Sequence, residues 1–566
     1  MSVTVINSAT IINGFDQHIK VSAGPGAGKT TWVINHIRNV LNNSDRLKIT
    51  RKIACITYTN VAVDTIVKRL GDAVHQVEVS TIHSFLYKHV VKPYVHFIAA
   101  EHSLDATKLK GHDDTVLVNY SFVNDWKTRT KQQRITDDKK VTDAFKKLKW
   151  TILSNGELEV KPKHPVSFGK FAVTTASYKV YKEMTWEKGI LHHDDLLYFS
   201  YHLIKKFPFI LEVLRAKFPY FFIDEFQDIS PIQLFILNQL AKKETNICVV
   251  GDNAQSIYSF LGALPNQFSG FKLPGIIEYE ILDNWRSTEK IVGLLNIIRK
   301  DIVQKDRRGI VGTPPVIIIG DKIAALAMAR KRSGNPDVYT LSRNNILANA
   351  IGKGLSSRST VNLLNELDEK DSNPERKRAV IACVKAVEYA EQGYYKDALK
   401  TISKQFGTGN EKASQKQSLA ILKSLVDNKA SFQAGKVMDL YNFITANIVK
   451  LSKFSGANPK GFYEQYTYSE ISTAVLALDE AANHRTIHKA KGDEFDAVLL
   501  VIDGDKKGKF DEAIETSFLL TPDLNQEEHR IRYVALSRAM NHLFINFPTI
   551  SPAIKLKIEN LGLEVV

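Results

Sequence analysis

Eight short apolar runs divide this chain of 566 residues, and helical patterns lie between most of them. Continuous apolar runs bounded by turn or acidic residues are typical of strands that are buried on both faces of a parallel sheet. Four runs lie in each half of the chain, which predicts two α/β sheets. The runs are HIKVSA (18–23), KIACITYT (52–59), YFFIDE (220–225), NICVVGD (246–252), PVIIIGD (315–321), DVYTLSR (337–343), DAVLLVID (496–503) and HLFINFP (542–548).

Two stretches interrupt this alternation, and we interpret both as insertions in the α/β cores. Residues 123–188 contain 15 Lys and Arg against 8 Asp and Glu, together with Trp126, Trp150 and Trp186. Residues from about 352 to 480 follow a helical pattern that is rich in Lys, Ala, Glu and Gln. Each predicted sheet therefore carries one insertion.

The net charge of +15 and the pI near 9.3 favour an acidic partner, either nucleic acid or a membrane surface. The three cysteines lie far apart and form no disulfide framework, which indicates a reducing compartment. The N-terminus lacks the pattern of a signal peptide, and the apolar runs are too short to span a membrane. We therefore expect a cytoplasmic protein without membrane contact.

The segment VSAGPGAGKTTW (21–32) combines the end of a predicted strand, a glycine-rich turn and the start of a predicted helix. Backbone N–H groups of such a loop hold phosphates, and Lys29 would bridge the β- and γ-phosphates. Thr30 would supply a hydroxyl for Mg²⁺. Ala23 stands where the usual phosphate-loop pattern has its first glycine. The alternative is a glycine-rich turn that only connects strand and helix.

Two further segments carry the chemistry of phosphoryl transfer. FFIDEFQD (221–228) places Asp224 at the end of a buried strand, next to a bound metal, and leaves Glu225 to polarise the attacking water. GDNAQSIYSFLGA (251–263) follows another strand and offers Gln255 as a sensor of the γ-phosphate. The alternative for the acidic pair is that both carboxylates cap the helix that follows.

Nine segments follow one another along the chain between residues 23 and 539. They are AGPGAGKT, CITYTNVAVDTIVKRL, VSTIHSFL, HHDDLL, FFIDEFQDISPIQ, VGDNAQSIYSFLGA, LDNWRST, TIHKAKGDEFDAVLL and EEHRIRYVALSRA. In kind and in order they resemble the motifs of superfamily 1 DNA helicases of the UvrD/Rep/PcrA branch. The first motif of that family often begins with alanine, which accounts for Ala23.

The resemblance implies an α/β fold with two RecA-like parallel-sheet domains, each with a largely helical insertion. The implied division is 1–87 and 194–274 for domain 1A, 88–193 for insertion 1B, 275–351 and 481–566 for domain 2A, and 352–480 for insertion 2B.

The same resemblance implies an ATP site with Mg²⁺ held by Thr30 and Asp224. The implied catalytic residues are Lys29, Asp224, Glu225, Gln255, Arg286 and Arg538. The implied nucleotide-binding residues are Ala23, Gly24, Gly26, Ala27, Gly28, Lys29, Thr30, Thr31, Trp285 and Glu494. Both arginines would reach the γ-phosphate from the second α/β half as arginine fingers. A surface salt bridge is the alternative for a lone arginine. Trp285 replaces the usual tyrosine and would stack on adenine.

The resemblance also implies a track for single-stranded DNA. Its implied residues are Tyr58, Thr59, Asn60, Thr81, His83, Tyr258, Phe260, Arg343, Asn345, Thr486 and His488. Aromatic rings stack on bases, and polar groups hold phosphates or base edges. The alternatives are core aromatics and a core His488. The basic insertion would cover the strand or grip the duplex, or it would be a solvated basic face.

Three features depart from the family pattern. Phe260 and Leu261 stand where the family usually has Trp-Arg. Gln17 lies only six residues before Ala23, too close to the strand to be the adenine-reading glutamine. The chain ends soon after the last motif, so we expect no appended nuclease domain. A compact member of this kind resembles the helicase-like subunits of antiphage systems such as Gabija, which act beside a separate nuclease.

The leading hypothesis is an ATP-dependent helicase that moves 3′ to 5′ on single-stranded or tailed duplex DNA, in DNA repair or antiphage defence. A cleft between the two RecA-like domains would close once per ATP. The alternative is a DNA-sensing ATPase subunit that regulates a partner nuclease without processive unwinding. A small-molecule kinase would use the same phosphate loop, but it would need neither the arginines nor the aromatic track.

Overall fold

The eight apolar runs all form parallel β-strands, as the sequence predicts. The structure is a computed structural model that describes residues 3–109, 111–112, 116–117, 119–168, 171–259, 262–355, 363–407, 411–475, 483–504 and 509–566. The chain divides into two compact units. The first consists of the chain up to Arg286, Arg299–Arg308 and Leu524–Arg530, and the second of Ser287–Ile298, Gly309–Asp523 and Ile531–Val566.

The strands of the first unit are β1 (Thr4–Ile6), β2 (Ile19–Ala23), β3 (Ile53–Thr57), β4 (Val77–Thr81), β5 (Leu148–Ile152), β6 (Leu158–Pro162), β7 (Ser167–Phe168), β8 (Phe171–Ala172), β9 (Tyr220–Ile223), β10 (Asn246–Gly251), β11 (Ile277–Ile281), β12 (Asp283–Asn284) and β13 (Lys305–Asp306). Those of the second are β14 (Val316–Ile319), β15 (Val338–Ser342), β16 (His484–Thr486), β17 (Phe495–Val501), β18 (Ala539–Phe547) and β19 (Glu564–Val565).

The α-helices are α1 (Lys29–Asn43), α2 (Asn60–Leu70), α3 (Ile82–Leu86), α4 (Lys92–Tyr94), α5 (Tyr120–Arg129), α6 (Asp138–Phe145), α7 (Thr175–Trp186), α8 (Asp195–Lys206), α9 (Phe209–Lys217), α10 (Pro231–Leu240), α11 (Glu289–Ile298), α12 (Lys322–Ser333), α13 (Asn345–Gly352), α14 (Leu363–Lys370), α15 (Pro374–Glu391), α16 (Tyr395–Phe406), α17 (Glu411–Asp427), α18 (Val437–Asn447), α19 (Ala457–Gln465), α20 (Tyr468–Val475), α21 (Glu512–Leu520), α22 (Glu527–Leu536) and α23 (Pro552–Glu559).

In the first unit, a seven-stranded parallel sheet has the order β1–β11–β2–β10–β9–β3–β4. Alternate residues of each strand point to opposite faces, so one strand supplies two cores. Tyr220 and Phe222 of β9 belong to the core on one face, whereas Phe221 and Ile223 belong to the core on the other. All strands run in the same direction, which brings the loops after β2, β3, β9 and β10 to one edge of the sheet.

The basic insertion shares its core with the first sheet. Trp126, Trp150 and Trp186 are all buried in this core, and helices α5 to α7 and the hairpin β5–β6 surround them. Asp195, at the start of α8, accepts hydrogen bonds from the indole Nε1 atoms of Trp150 at 2.9 Å and of Trp186 at 3.0 Å. The three tryptophans therefore stabilise the fold and do not serve as exposed platforms for bases.

The second unit contains a six-stranded parallel sheet in the order β16–β15–β17–β18–β14–β19. Helices α14 to α20 occupy the described part of the predicted helical insertion and form a hydrophobic core of their own, around Val384, Leu440 and Tyr463. The predicted fold class, an α/β chain with two parallel sheets and two largely helical insertions, is confirmed.

Several strands escape prediction because they are short or only half-buried. Strand β4 (VEVST) and strand β11 (IEYEI) mix apolar with polar residues, so neither forms a continuous apolar run. Strand β11 pairs with β2 in the first sheet, although the sequence assigns residues 275–351 to the second half. The chain stays in the first unit up to Arg286. The rest of the predicted domain division stays a prediction.

Among the described residues, we find no helix that combines the length and the apolar character needed to cross a bilayer.

Candidate functional site

The phosphate loop connects the buried strand β2 to helix α1. Ala23 ends the strand as a core residue, and Ala27 is buried inside the loop. Gly26 and Gly28 have φ angles of +70° and +83°, which L side chains rarely adopt. Gly28 immediately precedes the first residue of α1. The loop therefore presents the amino end of a 15-residue helix, the usual seat of a phosphate group.

The glycines are also required by close neighbours. A Cβ atom on Gly24 would lie 2.6 Å from the side-chain amide of Gln304, and one on Gly26 would lie 2.7 Å from Cβ of Arg286. Gln304 Nε2 and Asn284 Nδ2 both donate to the carbonyl oxygen of Pro25, at 2.9 and 3.2 Å. The sequence analysis missed Asn284 and Gln304, since their relation to the loop depends on the tertiary fold.

Three side chains at the start of α1 have different partners. Lys29 is buried, and its Nζ donates to the carbonyl oxygens of Ala23 at 3.2 Å and Gly24 at 3.1 Å. Thr30 Oγ1 donates to Oδ2 of Asp224 at 3.2 Å, which joins the phosphate loop to the end of β9. Thr31 Oγ1 accepts from Nη2 of Arg69 at 2.8 Å and so contacts helix α2.

Asp224 and Glu225 follow β9 directly. Burial and the neighbouring charge of Glu225 raise the pKa of Asp224 to about 6, against the opposing effect of Lys29. Burial lowers the pKa of the Lys29 ammonium, and the carboxylates of Glu225, Asp252 and Asp224 oppose that shift. Three carboxylates thus lie close enough to the Lys29 ammonium to stabilise its charge in a region of low solvent access.

The donor set fits Mg²⁺ and a triphosphate. Hydroxyl and carboxylate oxygens, as supplied by Thr30 and Asp224, are the ligands that Mg²⁺ prefers. A divalent cation would also offset the repulsion between Asp224 and Glu225 that raises the pKa of Asp224.

Gln255 and Glu225 belong to one buried network at the ends of β9 and β10. Gln255 Nε2 donates to Oδ2 of Asp252 at 2.7 Å. The backbone N–H of Asp252 donates to Oε1 of Gln227 at 2.9 Å, and Nε2 of Gln227 donates to the carboxylate of Glu225. The predicted sensor and the predicted water-activating glutamate are therefore connected through two residues that the sequence analysis did not select.

Trp285 and Arg286 lie against the phosphate loop, and Arg286 is the last residue of the first unit before the chain enters the second at Ser287. The role of Arg286 as an arginine finger stays a prediction. The backbone N–H of Trp285 donates to the carbonyl oxygen of Gly26 at 2.9 Å, and that of Arg286 donates to Oδ1 of Asn284 at 2.9 Å. These bonds fix both residues beside the loop. The Trp285 side chain is 54% exposed, which leaves its ring available to a nucleobase.

Arg538 and Glu494 lie in the second unit. Arg538 is buried, and its guanidinium donates to the carbonyl oxygens of Val534 at 3.1 Å and Asp493 at 3.2 Å. Glu494 is exposed and lies between Asp493 and the start of β17. Arg538 therefore holds the backbone directly before Glu494. The assignment of both residues to the nucleotide site stays a prediction.

The predicted DNA-binding residues of the first unit lie at the carboxyl edge of its sheet. Tyr58 follows β3, and its ring stacks on that of Tyr258 with centroids 4.9 Å apart and an angle of 16°. Thr59 and Asn60 are exposed, and the Thr59 hydroxyl caps α2 by accepting from the N–H of Ala62. Phe260 lies outside the described residues.

Thr81 and His83 lie where β4 meets α3. The Thr81 hydroxyl caps α3 by accepting from the N–H of Ser84 at 3.3 Å. His83 is half-buried, and its ring meets that of His193 edge to face, with centroids 6.2 Å apart. Both residues have local structural contacts, and their contacts with DNA stay a prediction.

Four predicted DNA-binding residues belong to the second unit. Arg343 directly follows strand β15, and Thr486 is the last residue of the neighbouring parallel strand β16. Both residues therefore lie at one edge of that sheet. Arg343 and His488 are half-buried, Thr486 is buried and Asn345 is exposed. The structure thus brings Arg343 and Thr486 to one sheet edge. It groups the phosphate-loop residues, the acidic pair, Tyr58 and Tyr258 in the first unit.

Gln17 lies before the amino end of β2, whereas the phosphate loop follows its carboxyl end. A Cβ atom on Gly14 would lie 2.6 Å from Nε2 of Gln17, so this side chain folds back onto its own loop. The expectation that Gln17 does not read adenine stays a prediction. Unlike Gln17, Ser8 lies next to the phosphate loop, beside Gly28.

Two family models match the chain. Residues 6–273 match the UvrD/REP helicase N-terminal domain, and residues 340–549 match the UvrD-like helicase C-terminal domain. The matches cover both predicted insertions and most strands of the two sheets, with β11, β14 and β19 outside the matched ranges.

Individual relatives agree with these matches. The chain is 26% identical over 299 residues to the ATP-dependent DNA helicase PcrA of Staphylococcus aureus, which covers 51% of this chain and 39% of PcrA. It is 26% identical over 350 residues to the Gabija protein GajB of Bacillus cereus, which covers 52% of this chain and 49% of GajB. The chain thus spans less than half the length of either relative. It belongs to the UvrD-like helicase family.

Proposed function

We propose that this chain is an ATP-dependent DNA helicase that moves 3′ to 5′ along single-stranded DNA. The hydrogen bond from Thr30 to Asp224 carries the proposal, because it joins a phosphate loop to a buried acidic strand end. Similarity to PcrA, an ATP-dependent DNA helicase, supports DNA as the substrate. The 3′ to 5′ direction rests on the resemblance of the motifs to those of the UvrD/Rep/PcrA branch.

The residues of the first unit suit ATP hydrolysis. The backbone N–H groups of the loop, with Lys29 and Arg286 beside them, would hold the phosphates. Glu225 would orient the attacking water and accept its proton. Bound Mg²⁺ would neutralise phosphate charge, and Thr30 and Asp224 would be its protein ligands. Trp285, with its exposed ring, would stack on the base.

The position of the aromatic pair supports coupling to DNA. Tyr58 follows β3, and Asp224 follows the neighbouring strand β9. A base stacked on the Tyr58–Tyr258 pair would therefore lie on the same sheet edge as the hydrolytic carboxylates. The excess of Lys and Arg in residues 123–188 would add phosphate contacts of high salt sensitivity.

Strand displacement tests the helicase and its direction. Duplex DNA with a 3′ tail, with a 5′ tail and with blunt ends is incubated with ATP and Mg²⁺, and the released strand is quantified. We expect displacement from the 3′-tailed duplex and none with the Glu225→Gln variant. Release from the 5′-tailed duplex alone would show that the direction is wrong.

A second candidate is a DNA-sensing ATPase subunit that regulates a partner nuclease without processive unwinding. Similarity to the Gabija protein GajB over 52% of the chain favours it. This candidate predicts ATP hydrolysis that DNA stimulates, yet no strand release from any of the three duplexes. The same displacement assay, read beside an ATPase assay, therefore separates the two candidates.

A further inference from the structure

A line of buried polar contacts leads from the predicted water-activating Glu225 to Arg299, a residue outside all nine motif segments. Arg299 is 1% exposed, and its Nη1 lies 2.7 Å from Oδ1 of Asp252, whose side chain is fully buried. The other edge of the guanidinium faces Asp301, with Nε–Oδ1 at 2.8 Å and Nη2–Oδ2 at 3.1 Å. One arginine thus joins a buried and an exposed carboxylate.

Asp252 connects Arg299 to Gln227, which in turn contacts Glu225 of the acidic pair. Its carboxylate accepts from Gln255 Nε2 at 2.7 Å, and its backbone N–H donates to Oε1 of Gln227 at 2.9 Å. Nε2 of the same Gln227 amide donates to the carboxylate of Glu225. A Cβ atom on Gly251 would lie 2.8 Å from Oε1 of Gln227, so this amide is packed directly against the end of β10.

Glu225 needs such support because its backbone is in a strained region. Its φ angle is +54°, and few residues other than glycine adopt this conformation. Strained residues persist where the surroundings fix them, and they concentrate at active sites. Gln227 constrains Glu225 directly, through its hydrogen bond to the Glu225 carboxylate. Asp252 constrains Glu225 indirectly, through its hydrogen bond to Gln227.

The place of Arg299 in the chain adds a second property. Helix α11 belongs to the second unit, and Arg299 is the first residue after it that belongs to the first unit. Arg299 therefore lies at a boundary between the two units along the chain.

We propose that Arg299 is a positioning residue for ATP hydrolysis, which holds Glu225 through Asp252 and Gln227. The inference rests on the proposed function, since it assigns Glu225 to the hydrolytic step. It does not require Arg299 to touch ATP. Loss of Arg299 would leave the phosphate loop and its contacts unchanged and would misplace the glutamate. The signature is a fall in kcat without a matching change in KM.

The experiment compares Arg299→Gln and Arg299→Lys with Asp301→Asn. Asp301→Asn removes the exposed partner of the same arginine and leaves the Asp252 pair, so it is the matched control. Each full-length variant is measured for kcat and KM of ATP hydrolysis, for melting temperature, and for hydrogen exchange of the peptides that contain residues 224–228 and 251–259.

For Arg299→Gln we expect a roughly tenfold or larger fall in kcat, a KM within about threefold of wild type, and faster exchange in both peptides. Arg299→Lys should recover part of kcat, and Asp301→Asn should match wild type. Combining Arg299→Gln with Asp252→Asn should cost no more than the larger single effect, because both changes break one pair.

A folded Arg299→Gln variant with wild-type kcat and exchange would overturn the proposal. So would equal losses in kcat and melting temperature for Arg299→Gln and Arg299→Lys, since these would indicate a purely structural role. If wild type itself hydrolyses no ATP, the proposed function fails, and the exchange data still decide whether Arg299 orders residues 224–228.

Discussion

The rings of Tyr58 and Tyr258 stack on each other, with centroids 4.9 Å apart and an angle of 16°. Tyr58 directly follows β3, Tyr258 lies in the loop after β10, and both residues are half-buried. One ring therefore supports the other at the sheet edge that carries the acidic pair. The contact of this pair with DNA stays a prediction.

Replacing Tyr258 by Ala should weaken binding of single-stranded DNA, because base stacking on an aromatic ring contributes about 1–3 kcal/mol per base. That corresponds to roughly 5- to 150-fold in Kd, measured by fluorescence anisotropy with a labelled oligonucleotide. Tyr258→Phe should bind as wild type does. Tyr395→Ala, which removes a 60% exposed ring from α16, is the control. Equal affinities for Tyr258→Ala and Tyr395→Ala would refute the platform.

Gly26→Ala should abolish nucleotide binding. Its new Cβ would lie 2.7 Å from Cβ of Arg286 and 2.8 Å from Oδ1 of Asn284, so the loop or its neighbours must move. Gly275 has a similar φ angle, +72° against +70°, but has open space around it. Gly275→Ala should therefore cost only about 1–2 kcal/mol of backbone strain and leave binding intact. Titration with a fluorescent ATP analogue checks both, and a matching loss in both variants would contradict the packing argument.

Asp195→Asn should destabilise the first unit by about 3–5 kcal/mol, because it leaves the ammonium of Lys182 buried without its anion. Burial alone would raise the pKa of Asp195, but Lys182 and His192 outweigh burial and hold that pKa well below its usual range. The ionised carboxylate is therefore stabilising above about pH 4, and this contribution is lost as the pH falls further.

Asp194→Asn is the matched comparison, with the opposite sign. Burial raises the pKa of Asp194, against the opposing charge of Lys149, so its ionised form opposes folding at pH 7. Asp194→Asn should be neutral or stabilising at pH 7, and any gain should vanish at low pH. Urea denaturation at about pH 7 and about pH 3.5 measures both variants. A destabilisation by Asp195→Asn that does not shrink at the lower pH would contradict this account.

Trp285→Ala should raise the KM for ATP several-fold with little change in kcat, because the ring would bind the base equally in the ground and transition states. Trp285→Tyr should keep a near-normal KM. Tyr120→Ala removes another exposed aromatic side chain, at the start of helix α5, and should not change the KM for ATP. A wild-type KM for Trp285→Ala would place the base elsewhere.

The sequence predicts the central strands well because each is a continuous apolar run. Strands β4 and β11 escape because half-buried strands mix polar with apolar residues, and the boundary near residue 275 moves as a result. The phosphate loop, the acidic pair and Gln255 are each local in sequence, so their positions at strand ends could be predicted.

The residues that support the phosphate loop, the acidic pair and Gln255 could not be predicted from the sequence. Asn284 and Gln304 contact Pro25, although more than 250 residues of chain separate them from it. Arg299, which follows α11 along the chain, contacts Asp252, which precedes that helix. No local pattern distinguishes such an asparagine, glutamine or arginine from a surface residue. The tryptophans of the basic insertion are the opposite case. The positive charge around them predicted a surface that binds nucleic acid, whereas the fold places the three rings in a core.

The most direct measurement of the central claim is the steady-state rate of ATP hydrolysis with and without single-stranded DNA, at fixed Mg²⁺ and low salt. We expect DNA to stimulate wild type at least tenfold, and Lys29→Ala and Glu225→Gln to abolish hydrolysis in both conditions while their melting temperatures stay near that of wild type. A wild-type rate that is the same with and without DNA, or hydrolysis that survives Lys29→Ala, would contradict the account.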